Sequence, residues 1–275
     1  MCDVWKGFVG YRKMGKCENE CLQREDIELP GKALITGASS GIGLEISKRL
    51  VEEGYEVYGI GRDFSEVEKD TLLFKCDRFH KVKCDLCDTQ KLTDTVKKIN
   101  ENHDITLLIN NAGVGYYGLH EEISPQKISQ MVRTNLEAPM IISGLLLRDL
   151  KKNSGIIVNI SSVTAEKTNP HGCAYGATKA GLTSFSHSLF DEARKYGIRV
   201  VNIEPDMTET NLYRNADFES DDDCAARLLP EEVADAVMFA VNQREGLVVT
   251  DISVKPQLHR IKRKLYSTVS SKKYV

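Results

Sequence analysis

The chain has 275 residues, 41% of them hydrophobic and 28% charged, enough apolar content for one full globular core. Its net charge of −3 and pI near 6.1 exclude the strongly basic surface that nucleic acid demands. No apolar run approaches the ~18 residues of a membrane span, the first residues lack the apolar stretch of a secretion signal, and eight scattered cysteines then point to a reducing cytoplasm.

Residues 1–29 are polar and read as a loosely ordered arm. Cys2, Cys17 and Cys21 could hold a metal there, but no fourth ligand stands at a recognised spacing, so no metal is assigned. Strand-like apolar runs follow at 33–36, 56–60, 80–84, 107–109, 156–160, 199–203 and 250–254. Helical periodicity falls between them, near 42–53, 89–101, 125–152, 174–196 and 230–242. This alternation predicts an α/β fold: one Rossmann-type doubly wound domain over 30–257, with a seven-stranded, mostly parallel sheet flanked by helices. Cys84 and Cys87 form a Cys-x-x-Cys pair, read as small hydrophobes at a strand end rather than as a redox or zinc site. Residues 258–275 carry Arg260, Lys262, Arg263, Lys264, Lys272 and Lys273 and read as a solvated basic tail.

Two segments carry chemistry. In 36–43, Thr-Gly-Ala-Ser-Ser-Gly-Ile-Gly, the apolar run ends in a glycine-rich turn that opens a helix. Gly37, Gly41 and Gly43 would let the backbone approach a pyrophosphate, and the helix start would aim its free N–H groups at it. Tyr175 and Lys179 are four residues apart, on one face of a predicted helix, thirteen residues after Ser162. A cation beside a phenol favours the phenolate, so this pair is expected to exchange protons near neutral pH.

With these motifs the chain resembles the short-chain dehydrogenase/reductase family, in its compact one-domain branch, over about residues 30–257. The resemblance rests on Thr36 to Gly43, on Asn110-Asn111-Ala112-Gly113, on Asn135, on Ser162, and on Tyr175 with Lys179. It implies hydride transfer between a nicotinamide and a carbon bearing oxygen. It also implies Tyr175 as general acid or base, and Ser162 as the hydrogen bond to the substrate oxygen, with Ser161 as the near alternative. Lys179 would touch the nicotinamide ribose, and Asn135 would hold a water from a long helix. Cofactor contacts are expected from Gly37, Ser39, Ser40, Ile42, Gly43, Arg62, Asp85, Leu86, Asn111, Ala112, Gly113, Tyr175, Lys179, Pro205 and Thr210.

Relatives that prefer NAD place an acidic residue where this chain has Gly61; here Arg62 follows, able to clasp a 2′-phosphate, so NADP(H) is expected over NAD(H). Asp63 adjoins this site and argues the other way. Asp206 stands where the family has glycine, which puts its backbone in question. Residues 207–229 should form an acidic substrate lid, its charges facing either the pocket or solvent, with Tyr116, Tyr117 and His171 near the pocket. The expected activity is an NADP(H)-dependent interconversion of a carbonyl and a secondary alcohol. The rival reading is a catalytically silent NADP(H)-binding regulatory or scaffold protein. Apolar residues Met140, Ile141, Ile142, Leu145, Leu146, Leu147, Phe185, Leu189 and Phe190 suggest a homotetramer or homodimer through the helices at 125–152 and 174–196.

Overall fold

The structure, a computed structural model, describes residues 31–264 apart from 66, 68–72, 74 and 103. The arm with Cys2, Cys17 and Cys21, and the tail from 265 on with Lys272 and Lys273, lie outside the described residues. The strands in chain order are β1 (Lys32–Thr36), β2 (Glu56–Gly61), β3 (Phe79–Lys83), β4 (Ile105–Asn110), β5 (Ile156–Ile160), β6 (Arg199–Pro205), β7 (Phe218–Ser220), β8 (Asp251–Val254) and β9 (Ile261–Arg263). The helices are α1 (Gly41–Glu52), α2 (Thr89–Ile99), α3 (Pro125–Val132), α4 (Ala138–Lys152), α5 (Cys173–Ala193) and α6 (Pro230–Val241).

Seven strands form one sheet in the order β3-β2-β1-β4-β5-β6-β8, and every neighbouring pair in it is parallel. Parallel strands are covered on both faces, which is why they read as continuous apolar runs. Side-chain alternation divides the core in two. Ala33 and Ile35 of β1 join Ile46 and Leu50 of α1 and Val233 and Val237 of α6. Leu34, between them, joins Leu92 of α2, Ile142 and Leu146 of α4 and Leu189 of α5. Local signals start the helices: Asp88 caps α2 by accepting from Lys91 N–H, and Ser124 caps α3 ahead of Pro125.

The chain builds outward from β1 to β2 and β3, then returns to lay β4 on the other side of β1. That reversal leaves a crevice beyond the carboxyl ends of β1 and β4, where such sheets bind ligands. A polar row crosses the sheet below it. Asn110, Asn159 and Asn202 are register partners on β4, β5 and β6, and each is at most 2% exposed. Asn110 donates to Asn159 at 2.8 Å, Asn159 to Ser186 of α5 at 2.7 Å, and Asn202 to Asp251 of β8 at 3.2 Å.

Two features differ from the sequence expectation. The helix predicted over 125–152 is interrupted by a π-helical turn at Arg133–Glu137, which carries Asn135. Such a turn inserts an extra residue and occurs often at functional sites. The basic segment expected to leave the domain at 258 instead returns to it, because β9 pairs antiparallel with β7. Among the described residues no helix is long and apolar enough to cross a membrane.

Candidate active site

The glycine turn is fixed by the end of β4. Thr36 Oγ1 accepts from the N–H groups of Asn111 and Ala112, both at 3.1 Å. The Asn111 side chain donates back to the carbonyls of Thr36 at 2.9 Å and Gly37 at 3.2 Å. Gly37 and Gly41 have φ of 69° and 54°, the left-handed region that favours glycine. A Cβ on Gly43 would overlap the Gly37 carbonyl and the Asn111 amide. Ser40, the first cap of α1, makes no side-chain capping bond. The N-terminus of α1 therefore opens onto the crevice with its dipole free for an anion. The crevice measures about 1270 Å³, including space open to solvent. Gly37, Ser39, Ser40, Ile42, Arg62, Asp85, Leu86, Asn111, Ala112, Gly113, Pro205 and Thr210 all line it; Gly43 serves behind the turn instead. This donor set, with a bare helix terminus, suits a dinucleotide.

At the floor of the crevice Ser162, Tyr175 and Lys179 meet. α5 carries Tyr175 and Lys179 one turn apart and lays them beneath β5, at 4% and 3% exposure. Lys179 Nζ donates to the Ile160 carbonyl at 2.7 Å and lies 5.8 Å from the Tyr175 ring centroid. Burial pulls the Lys179 ammonium down to about 8, because a low-dielectric site disfavours charge. The sequence led us to expect Lys179 to draw the phenol down. Burial instead pushes Tyr175 up to about 12, and a hydrogen bond from Ser162 opposes it. Ser162 Oγ accepts from Thr164 N–H at 3.2 Å and Thr164 O–H at 3.0 Å, so its own hydrogen is left to donate. Ser161 turns the other way, to Thr183 at 2.7 Å and the Lys179 carbonyl at 3.1 Å.

Asn135 reaches the site from the π-helical turn. Its side chain holds both ends of the Val114 backbone, accepting from N–H and donating to the carbonyl at 2.9 Å each, and donates to Thr178 at 3.1 Å. It thereby ties the segment after β4 to α5, beside Tyr175. At the adenine end, a Cβ on Gly61 would stand 2.9 Å from Ser39 Cβ, so a side chain there would force Ser39 to shift. Asp63 accepts from Ser65 N–H at 3.0 Å and is turned into its own loop. Cys84 and Cys87 are unbonded to each other, and Cys87 Sγ lies 3.5 Å from Thr134 Oγ1. Among the described residues no group of His, Cys, Asp and Glu could hold a metal ion.

On the opposite side Asp206 has an ordinary φ, since the positive-φ residues other than glycine are Ser154 and His171 among the described residues. Its carboxylate accepts from Met207 N–H at 2.8 Å, so no glycine is needed. Tyr117 packs over Tyr175 with ring centroids 5.7 Å apart. Tyr116 turns away to Gln130 at 2.8 Å, and His171 holds Gly118 N–H through its carbonyl at 2.8 Å.

A family model described as short chain dehydrogenase matches residues 31–220. The chain belongs to the short-chain dehydrogenase/reductase family. Among relatives of this oxidoreductase, a probable NADP-dependent dehydrogenase of Haemophilus influenzae is 32% identical over 235 residues, 82% of this chain and 92% of the relative. A serine 3-dehydrogenase of Agrobacterium fabrum is 30% identical over 237 residues, 83% of this chain and 94% of the relative. A short-chain dehydrogenase from Sphingobium yanoikuyae, solved in complex with NADPH, superposes with a TM-score of 0.73 at 26% identity, covering 84% of this chain and 89% of that one. In this short-chain dehydrogenase, residues that sequence reasoning did not assign also line the crevice: Gly115, Thr134, Thr208, Leu212, Tyr213 and Arg214. The last four sit in the lid, where sequence offers no fixed motif spacing to read.

Proposed function

We propose that the protein is an NADP(H)-dependent oxidoreductase that interconverts a carbonyl and a secondary alcohol in a small molecule, with Tyr175 as the general acid or base. The observation that carries this is the meeting of Ser162 and Lys179 at a buried Tyr175 on the floor of the crevice. When bound, the nicotinamide supplies or accepts the hydride, which no side chain here can do. Gly37, Ser39, Ser40 and Ile42 would hold the pyrophosphate. Asp85 and Leu86 would face the adenine. Ala112, Gly113, Pro205 and Thr210 would line the nicotinamide half. Arg62 would take the 2′-phosphate, and this preference is supported by glycine standing at 61, where no carboxylate is offered, and by the turned-in Asp63. The NADP named for the Haemophilus relative and the NADPH bound to the Sphingobium enzyme support the same choice.

With its phenol held up near 12, Tyr175 keeps its proton at neutral pH and stands ready to donate it to a carbonyl oxygen. Ser162 donates its remaining hydrogen to the same oxygen as charge develops there. Lys179, still cationic at neutral pH with its pKa about 8, stabilises the phenolate left behind. In the oxidation direction the phenolate takes the alcohol proton back. The test is to mix purified protein, NADPH and a panel of carbonyl compounds and follow NADPH absorbance. At least one carbonyl should drive oxidation, and Tyr175→Phe should slow it by ~10²–10⁴-fold while NADPH still binds. No turnover across the panel, or a Tyr175→Phe variant retaining more than about a hundredth of the rate, would overturn the reading.

A further inference from the structure

None of the lid carboxylates at 209–223 lines the crevice. Glu219, Asp222 and Asp223 meet the basic segment at 258–264, while Glu209 pairs with Arg227 within the lid. β7, in the lid, pairs with β9 through Phe218–Arg263, Glu219–Lys262 and Ser220–Ile261. Lys262 bridges Asp222 at 2.6 Å and Glu219 at 3.4 Å, and Arg260 reaches Asp223 at 3.7 Å. Leu258 N–H donates to the Ala225 carbonyl at 2.8 Å, and Lys264 N–H to the Asp217 carbonyl at 2.8 Å. Lys264 Nζ crosses to the short helix Asn211–Asn215 and donates to the Tyr213 carbonyl at 2.6 Å and the Arg214 carbonyl at 3.5 Å.

Those two carbonyls belong to residues that line the crevice. The Tyr213 ring lies 5.8 Å from Tyr117, and Tyr117 lies 5.7 Å from Tyr175. Phe218, on β7 itself, closes the group at 5.2 Å from Tyr117 and 5.6 Å from Tyr213. A continuous set of contacts therefore runs from the basic segment through the lid to the reacting phenol.

We propose that residues 258–264 are a strap that holds the substrate-side wall of the active site, and that Lys264 is its positioning residue, acting through the carbonyls of Tyr213 and Arg214. The strand pairing, ion pairs and hydrogen bonds of the strap reach the lid at 213–225, beyond Thr210 and the glycine turn, so its effect falls on substrate more than on cofactor. Its kinetic consequence rests on Tyr175 being the reacting group; its mechanical consequence does not.

The full-length chain is compared with Lys264→Met and Lys264→Arg by hydrogen exchange over peptides spanning 211–226 and by steady-state kinetics with a carbonyl the wild type reduces. In Lys264→Met, exchange of those peptides rises about tenfold, the scale of one lost charge-assisted hydrogen bond. KM rises by a similar factor while kcat changes by less than about threefold, a split that loss of global stability does not produce. Lys264→Arg, which can still donate to two carbonyls, restores both. Asp222→Lys, which sets two cations together, loosens the same peptides, and adding Lys262→Glu tightens them again. Unchanged exchange and KM in Lys264→Met, or an arginine variant as loose as the methionine one, overturns the proposal. If the wild type turns over no carbonyl, the reading under Proposed function fails, and the exchange data alone decide the strap.

Discussion

Replacing Lys179 by methionine should make the protein inactive and, at neutral pH, more stable. Lys179 is 3% exposed, and burial moves its ammonium from the ordinary 10.5 to about 8. At ~1.4 kcal/mol for each tenfold change in proton affinity, holding that charge costs the folded protein ~3 kcal/mol near pH 7. The sign follows from the direction of the shift. A base depressed on folding carries its full penalty below about 8, loses it progressively as pH rises towards 10.5, and carries none above. Between about pH 7 and 9.5 the wild type should therefore gain ~2 kcal/mol of stability from this residue. Methionine removes the charge and also the bond to the Ile160 carbonyl, a loss of ~1 kcal/mol. The variant should then exceed wild type by ~2 kcal/mol near pH 7 and by nothing measurable near pH 9.5. The raised Tyr175 penalises the fold only above the ordinary phenol value of 10.0, so it stays out of this window. Urea unfolding of both proteins at the two pH values checks the idea. Parallel pH dependences, with no convergence, would refute the argument that burial of Lys179 is strained for the sake of chemistry.

Arg62→Ala should weaken NADPH by roughly tenfold to a hundredfold and leave NADH nearly unaffected, since a charge-assisted pair is worth ~1.5–3 kcal/mol; equal losses in calorimetric titrations would remove Arg62 from the 2′-phosphate. The Lys179 titration also predicts a kinetic limb: kcat/KM for reduction should fall as pH rises through about 8, and Lys179→Arg, which stays charged, should lack that limb. Light scattering at micromolar concentration should give a multiple of 30.8 kDa, with a tetramer expected. The faces of α4 and α5 leave Met140 39% exposed and Phe185 and Phe190 only partly covered, and a clean monomer mass would defeat the expectation.

Strong local signals made most of the fold legible in sequence. The central strands are largely apolar runs, each helix has its own periodicity or cap, and the glycine turn has conformational demands only glycine meets easily. Of the two serines, Ser162 faces Tyr175, and side-chain alternation turns its neighbour Ser161 to Thr183 on the other side. The π-helical turn at Asn135 was not legible, because inserting one residue changes no composition and barely disturbs the period. β7 and β9 have three residues each and pair across some forty positions, too short to stand out from the loops around them. The phenol of Tyr175 was expected to fall and rises instead, since spacing reports neighbours along a helix but not the burial that outweighs them.

The asparagine row has a consequence for assembly. β4, β5 and β6 are aliphatic runs of similar length that could slide past one another by two residues and still bury the same faces. Such a slip would move one strand by about 6.6 Å against its neighbour. Asn110 stands directly before Asn111-Ala112-Gly113, Asn159 three positions before Ser162, and Asn202 three before Pro205. The Asn110–Asn159 bond between β4 and β5 and the Asn202–Asp251 bond between β6 and β8 act as addresses, and a shifted register would strand a buried amide without its partner. The backbone at 111–113, the Ser162 side chain and Pro205 are thus levelled at one height. Accuracy at the top of the sheet is inherited from a choice of pairing made beneath it.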